Sequence, residues 1–200
     1  IDNDESSNEN PILNSSGLEG KAAVRFENRS YYGKWVVREG IETYWRHYDT
    51  DIYRMTRSGM SSHYNNNIGF FSGAVYSSAE YRSASGKLNG SFGLRADMSS
   101  FSAETAKIWN QLSPRGSVSY IPVESITLNA SAGLYHQLPP LTALSFKDAD
   151  ENKANGHLPY MRVASGAVGI EWRIRERFQL SLEGFYKHYM DIPVSVATGI

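Results

Sequence analysis

The chain has 200 residues, enough for one domain with a substantial core, and its 20 Lys and Arg nearly balance its 21 Asp and Glu. The formal net charge of −1 gives no basic footprint for phosphates, so nucleic acid is not indicated as a partner. The absence of cysteine excludes a disulfide scaffold, a thiolate zinc site and cysteine catalysis.

The composition favours strands over helices. Aromatic residues are frequent (Tyr 13, Phe 8, Trp 4) and are accompanied by 17 Gly, a combination typical of pleated sheets. The mean hydropathy is −0.45, and no stretch approaches the roughly 18 consecutive apolar residues of a membrane-spanning helix. This excludes helical spans only, because a barrel crosses the bilayer with strands of alternating polarity.

Along the chain, apolar side chains recur at every second position in eight segments, which indicates strands with one apolar and one polar face. In residues 88–100, for example, Phe92, Leu94 and Ala96 alternate with small or polar residues. Most segments exceed the roughly 5–6 residues of a typical globular strand, and about ten tilted residues cross the roughly 25 Å apolar band of an outer-membrane barrel. The predicted strands lie near residues 21–29, 34–48, 67–82, 88–100, 114–121, 126–136, 161–174 and 178–189.

Short and long connections alternate strictly between these strands. The short ones are residues 30–33, 83–87, 122–125 and 175–177, and the long ones are 49–66, 101–113 and 137–160. This alternation predicts an all-β, antiparallel, up-and-down transmembrane barrel in which short periplasmic turns alternate with three long extracellular loops.

The same pattern predicts how the chain is divided. Residues 1–20 are expected to form a polar loop segment, residues 21–192 the barrel portion, and residues 193–200 the start of the next loop. Because the first and last predicted hairpins each close with a short turn, both ends fall on the long-loop side. We therefore expect about eight strands that form an internal piece of a larger barrel.

Two hairpins carry a resemblance to a known family. Residues 112–120 (LSPRGSVSY) place Ser-Pro-Arg before a strand that ends in Tyr, and residues 128–135 (LNASAGLY) rise to a Tyr followed by Pro139. Residues 169–193 (GIEWRIRERFQLSLEGFYKHYMDIP) combine Gly-x-Glu on one strand with Glu-x-x-Tyr-Lys-x-Tyr on the next. Over about a third of the chain, these hairpins resemble the barrel of TonB-dependent outer-membrane receptors, in the style of the Bacteroidetes branch.

The resemblance implies a barrel of about 22 strands in the outer membrane of a Gram-negative bacterium, with a plug domain inside it. It also implies uptake of a scarce ligand, such as an iron chelate, cobalamin, a glycan or a peptide, with energy delivered by TonB. The implied partners are outer-membrane lipid, TonB and the plug through the full-length parent, and the nutrient ligand. No enzyme activity, cofactor or metal is expected, because the five scattered His residues form no helical pair and no catalytic constellation.

Aromatic and charged residues fit this membrane setting. An inner-interface girdle is predicted from Tyr31, Tyr32, Trp35, Trp172 and Phe178, and an outer one from Tyr44, Trp45, Tyr48 and Tyr53. Charges of both signs fall mostly on the polar faces, as in a barrel wall that faces a plug. Ordinary hairpin packing and a solvated sheet face would give the same patterns. The charged residues are Arg25, Glu27, Arg38, Glu42, Arg95, Asp97, Arg115, Glu171, Arg173, Glu183 and Lys187.

Ligand contacts are expected in the long loops, because loops on a rigid scaffold usually carry binding residues. Mixed aromatic, Arg and Asn side chains can stack on sugars or bind an anionic chelate. The alternative is that these are solvated loop residues. The candidates in the first long loop and its flanks are His47, Asp49, Asp51, Tyr53, Arg54, Arg57, His63 and Tyr64, and those in the third are Phe146, His157 and Tyr160.

Two other classes of protein remain open at this point. One is an outer-membrane barrel of another kind, such as an adhesin or a porin-like barrel, and the other is a soluble β-sandwich that binds a carbohydrate. A further prediction concerns residues 102–112 (SAETAKIWNQL), which form either a short helix capped by Ser102 or an irregular loop.

Overall fold

The computed structural model describes residues 2–7, 10–55, 61–146, 155–175 and 178–193. These residues form one antiparallel sheet of nine strands, each paired with its neighbour in sequence, and the sheet curls into part of a barrel. The all-β, up-and-down fold is therefore confirmed, and the strands do not divide into the two packed sheets of a sandwich. The strands are β1 (Asp2–Ser7), β2 (Asn10–Tyr32), β3 (Trp35–Met55), β4 (Ser61–Arg82), β5 (Leu88–Ser99), β6 (Leu112–Val123), β7 (Ile126–Gln137), β8 (Met161–Arg175) and β9 (Phe178–Met190).

The structure differs from the prediction at the long-loop end of the first strands. Residues 1–20 were expected to be loop, but β1 and the first half of β2 lie there, and much of the predicted loop 49–66 belongs to β3 and β4. The polar residues of this region suggest a loop by composition, yet they pair across the hairpin. The Asn67 side chain donates a 2.7 Å hydrogen bond to the Asp49 carboxylate, which stabilises the extended ribbon.

Tight turns at the opposite end set the register of the hairpins. Tyr32 pairs with Trp35, so only residues 33 and 34 connect β2 to β3, and Gly33 adopts a φ of +59°. Gly86, in the connection from β4 to β5, has a φ of +69°. A residue without a Cβ adopts this left-handed conformation without strain, which explains the glycine at both turns.

The register sorts the side chains into two faces, which we call the outer and the inner face. Val24, Ile41 and Phe92 belong to the outer face and are exposed, although they are large and apolar. The inner face carries most of the charges of the described strands, and all eleven residues predicted for a charged wall share it by register. A sheet with apolar residues facing outward and polar ones facing inward has the polarity of a transmembrane barrel wall.

The buried core lies on the inner face, where a long loop folds against the sheet. Ile68 and Phe70 of β4 pack against residues of the connection between β7 and β8, which contains the one-turn helix α1 (Leu141–Leu144). In the connection between β5 and β6, where the sequence predicts either a short helix or an irregular loop, the structure has one 3₁₀ turn, Ile108–Gln111. Ser102 accepts a hydrogen bond from the Thr105 amide at 3.1 Å. Within the described residues, no helix has the length and apolarity to cross a bilayer.

Candidate functional site

Aromatic rings bound an apolar band on the outer face. Near the short turns, Trp35 packs on Tyr81 with ring centroids 4.9 Å apart, and toward the long loops Trp45 stacks on His47 at 5.4 Å. Trp35 and Trp45 lie ten positions apart on β3. At about 3.3 Å per residue and a tilt of about 40°, this spacing spans roughly the 25 Å of an outer-membrane hydrocarbon layer.

The predicted outer girdle is only partly correct. Trp45 and Tyr53 belong to the outer face, but the register of β3 with β2 and β4 places Tyr44 and Tyr48 on the inner face. Adjacent residues of a strand point to opposite faces, so Tyr44 and Trp45 cannot both face lipid. Beyond Trp45, Asp49 and Asn67 make the outer face polar, which marks the edge of the band.

Ion pairs and hydrogen bonds connect neighbouring strands along the inner face. Arg95 donates hydrogen bonds to both carboxylate oxygens of Asp97 at 2.8–3.0 Å and approaches Glu42 at 3.5 Å. Arg38 pairs with Glu80 across β3 and β4. Asp97 is only 7% exposed, so its charge depends on Arg95 for compensation.

A second set of contacts fixes the loop between β7 and β8 to the inner face. The Tyr64 hydroxyl donates a hydrogen bond to the Ser145 carbonyl at 2.7 Å, and its ring lies 6.5 Å from that of Phe146. Asn155 donates to the Ala143 carbonyl at 2.8 Å, which joins the two described parts of this loop. Tyr160 is 4% exposed, and burial raises the pKa of its phenol well above the ordinary value.

Two cations face each other on the inner face, toward the long-loop ends of β2 and β3. Lys21 of β2 lies directly opposite Arg46 of β3. The Lys21 Nζ is 4.5 Å from the centroid of the Tyr44 ring, and the Arg46 guanidinium carbon is 5.0 Å from it. Sequence reasoning missed this cluster because it treated Tyr44 as a girdle residue. The two-residue turn at Gly33 was the available signal, because it fixes which residues of β2 and β3 pair.

The structure separates the predicted ligand-binding residues instead of gathering them in one pocket. Tyr64 and Phe146 stack at the connection between β7 and β8, which we call the inward-folded loop, and Tyr160 lies in the buried cluster of the same loop. Arg54 shares the inner-face register of β3, His157 is exposed in the loop, and Arg57 lies outside the described residues. The residues on the outer face, above the apolar band, are His47, Asp49, Asp51, Tyr53 and His63.

The outer-face group is a polar ladder across β3 and β4. The Asp51 carboxylate lies 2.8 Å from the His63 imidazole and 3.4 Å from the Asn65 amide, and all three are exposed to solvent to a considerable degree. In the part of the chain that the structure describes, no group of three or more His, Cys, Asp or Glu is arranged to hold a metal ion.

The faces, the aromatic borders and the meander define the class of protein: this is a section of a transmembrane β-barrel wall. The sequence model of the family described as "TonB dependent receptor-like, beta-barrel" matches residues 2–200, so the chain belongs to that family. Members of this family are transporters, which confirms the prediction of a protein that is not an enzyme. The assignment to a Bacteroidetes branch stays a prediction.

Solved structures show the same fold at low sequence identity. The copper transporter OprC is 13% identical with a TM-score of 0.65, and the match covers 92% of this chain and 32% of OprC. The alcaligin outer-membrane receptor FauA from Bordetella pertussis is 19% identical with a TM-score of 0.56, and the match covers 89% and 30% of the two chains. FpvAI in its complex with pyocin S2 is 13% identical with a TM-score of 0.60, and the match covers 88% of this chain and 26% of FpvAI.

The chain thus spans about a third or less of the length of these solved structures. A comparison with curated protein sequences finds no significant match.

Proposed function

We propose that this chain forms part of the barrel wall of an outer-membrane receptor that imports a scarce ligand with energy delivered by TonB. The ligand classes are those that the sequence resemblance implies: an iron chelate, cobalamin, a glycan or a peptide. The proposed partners are outer-membrane lipid around the outer face, a plug domain against the inner face, and TonB through that plug. The proposed location is the outer membrane of a Gram-negative bacterium.

The family match over residues 2–200 carries this proposal, and the two faces of the sheet support it. An exposed apolar band between Trp35 and Trp45 suits lipid, and an inner wall with ion pairs such as Arg95 with Asp97 suits a polar lumen filled by another domain. The neighbours' names, a copper transporter and an alcaligin outer-membrane receptor, are consistent with a receptor or transport role.

For ligand contact we propose the residues near the inward-folded loop, Arg54, Tyr64, Phe146 and His157, before those on the outer face. Tyr64 and Phe146 place two aromatic rings beside the lumen, where a ligand entering the barrel passes. The outer-face residues Asp49, Asp51 and His63 point away from the lumen, so their proposed contribution is limited to ligand capture at the cell surface.

The test is a strain that lacks the full-length receptor gene, compared with the same strain complemented. Growth is measured with an iron chelate, cobalamin, a glycan or a peptide as the only source of the limiting nutrient. Under this proposal, loss of the receptor abolishes growth on one source, and loss of TonB abolishes it as well. Growth that depends on the receptor but not on TonB would instead identify a passive porin-like barrel, and cell adhesion without any uptake would identify an adhesin.

A further inference from the structure

We propose that Lys21, Tyr44, Arg46 and Tyr160 form a binding site for the carboxylate or phosphate group of an anionic ligand on the inner face of the barrel. We call these four residues the anion site. The inference rests on the proposed uptake function and adds to it the chemical class of the ligand.

The first argument is an unfavourable pairing that the chain retains. Lys21 and Arg46 are direct cross-strand partners, and partners in an antiparallel pair have Cβ atoms only about 5 Å apart. Like charges in that position repel each other and destabilise the sheet. The chain therefore places two cations together where stability alone would favour one of each sign.

The second argument is the lack of a counter-ion within the described part of the chain. No described carboxylate lies within ion-pair distance of Lys21 or Arg46. Glu19 shares the face two positions along β2, yet it forms no ion pair there, and the Asp97 and Glu42 carboxylates are engaged by Arg95. The ring of Tyr44 is the contact that both cations share.

The third argument is a pair of buried donors, one of which comes from a different part of the chain. Tyr160 lies at the end of the loop between β7 and β8 and belongs to the same buried cluster as Phe70, which is the cross-strand partner of Arg46. Its side chain is 4% exposed, yet its hydroxyl oxygen has no hydrogen-bond partner, and the Arg46 Nε is buried and equally unpartnered. Two buried donors without acceptors are costly unless an acceptor binds there.

These groups match the needs of an oxyanion. The Arg46 guanidinium and the Lys21 ammonium supply charge, the Tyr160 hydroxyl supplies a neutral donor, and the Tyr44 ring holds both cations in place. Charge-assisted hydrogen bonds to a carboxylate or phosphate would satisfy the unpartnered donors and relieve the repulsion between the cations. Lys21 is exposed, so an anion in the lumen can reach it.

The experiment measures anion binding to the purified full-length receptor by calorimetry, with citrate and inorganic phosphate as probes and glucose as a neutral reference. We expect Lys21→Met and Arg46→Met each to weaken binding of one or both anions by about tenfold or more, as expected for loss of one charge-assisted contact. Tyr160→Phe should weaken it by about threefold. Because Lys21 is exposed, its variant tests the site even if the Arg46 variant does not fold.

Lys187→Met is the matched control, because it also removes an inner-face cation that lies over an aromatic ring, that of Phe185 on β9. Its binding should stay within about twofold of the wild type, since it lies outside the anion site. If Lys187→Met weakened anion binding as much as Lys21→Met does, the effect would come from the overall positive charge of the inner face. That result would overturn the proposal. Absence of citrate and phosphate binding in the wild type would overturn it too.

The alternative to a ligand is that an acidic side chain from another segment of the receptor occupies the anion site. In that case Lys21→Met and Arg46→Met would lower the melting temperature without any added anion, and the wild type would bind neither probe. This binding assay involves neither TonB nor transport. Anion binding without uptake would therefore overturn the proposed function alone, and uptake without anion binding would overturn the anion site alone.

Discussion

The Tyr64 hydroxyl donates a 2.7 Å hydrogen bond to the carbonyl oxygen of Ser145, although the two residues are 81 positions apart in the chain. Tyr64 belongs to the part of β4 that extends beyond the apolar band, and Ser145 directly follows α1. This bond, together with the contacts of Leu144 in the buried core, turns a long connection into a fixed part of the inner wall. The loop therefore covers part of the inner face of β4.

Tyr64→Phe tests this attachment by removing one oxygen atom. Ser145 is 1% exposed, so its carbonyl loses a hydrogen-bond donor that water cannot easily replace, at a cost of about 1–2 kcal/mol. We expect amide protection in residues 141–146 to fall about tenfold in hydrogen exchange of the full-length receptor. Tyr53→Phe, on the outer face, should leave that protection unchanged, and a uniform loss across the barrel would refute the local role.

Leu144→Ala tests the apolar part of the same attachment. Leu144 is fully buried, and shortening a buried leucine in this way costs about 2–5 kcal/mol because a cavity remains. We expect protease cleavage at residues 138–146 to become much faster while the strands stay resistant. Trp109→Ala removes a larger side chain that is 77% exposed, and it should not change the cleavage rate. A loop that stays resistant in the Leu144 variant would show that other contacts hold it.

Much of this architecture could be predicted from the sequence, and the missing part has a physical cause. Alternation predicts that Val24 and Arg25 lie on opposite faces, because a pleated strand allows no other arrangement. The packing of α1 on Ile68 and Phe70 could not be predicted, because it joins segments about 70 positions apart and no local pattern encodes it. The pairing of Lys21 with Arg46 could be predicted only in part, because it follows from the position of the two-residue turn at Gly33, which must first be recognised.

A charge on the lipid-facing side of β3 tests the membrane assignment. Ile41 lies near the middle of the band between Trp35 and Trp45, and arginine at such a depth costs about 2–4 kcal/mol. We expect Ile41→Arg to lower the unfolding free energy in lipid vesicles by this amount, measured by urea titration. Leu18→Arg is the matched control: Leu18 is also exposed on the outer face but pairs with Asp49, beyond the band, so its cost should be about 0–1 kcal/mol. Equal costs at both positions would contradict the depth assigned here.

Removal of Arg95 tests the ion pairs of the inner wall. Arg95→Met leaves the Asp97 carboxylate, which is only 7% exposed, without its bidentate partner, and breaking such a pair costs about 3–5 kcal/mol. Arg25→Met serves as the contrast, because the ion pair of Arg25 with Glu27 is exposed and contributes little. Urea titration in lipid vesicles should therefore show a large loss of unfolding free energy for Arg95→Met and almost none for Arg25→Met. The double variant Arg95→Met with Asp97→Asn should recover part of the loss, since no unpaired charge remains.

The buried phenol of Tyr160 makes the inward-folded loop sensitive to alkaline pH. Burial raises the pKa of Tyr160 in the folded receptor above the value of about 10 of an unfolded chain. The unfolded chain therefore loses this proton first, so the contribution to stability is intact below pH about 10 and declines as pH rises toward the folded pKa. We expect hydrogen exchange corrected for its intrinsic pH dependence to show the loop loosening as the pH rises above about 10 in the wild type, and much less so in Tyr160→Phe. Tyr31→Phe, which alters a tyrosine that is 70% exposed, should retain the wild-type response, and an unchanged response in Tyr160→Phe would assign the effect to another group.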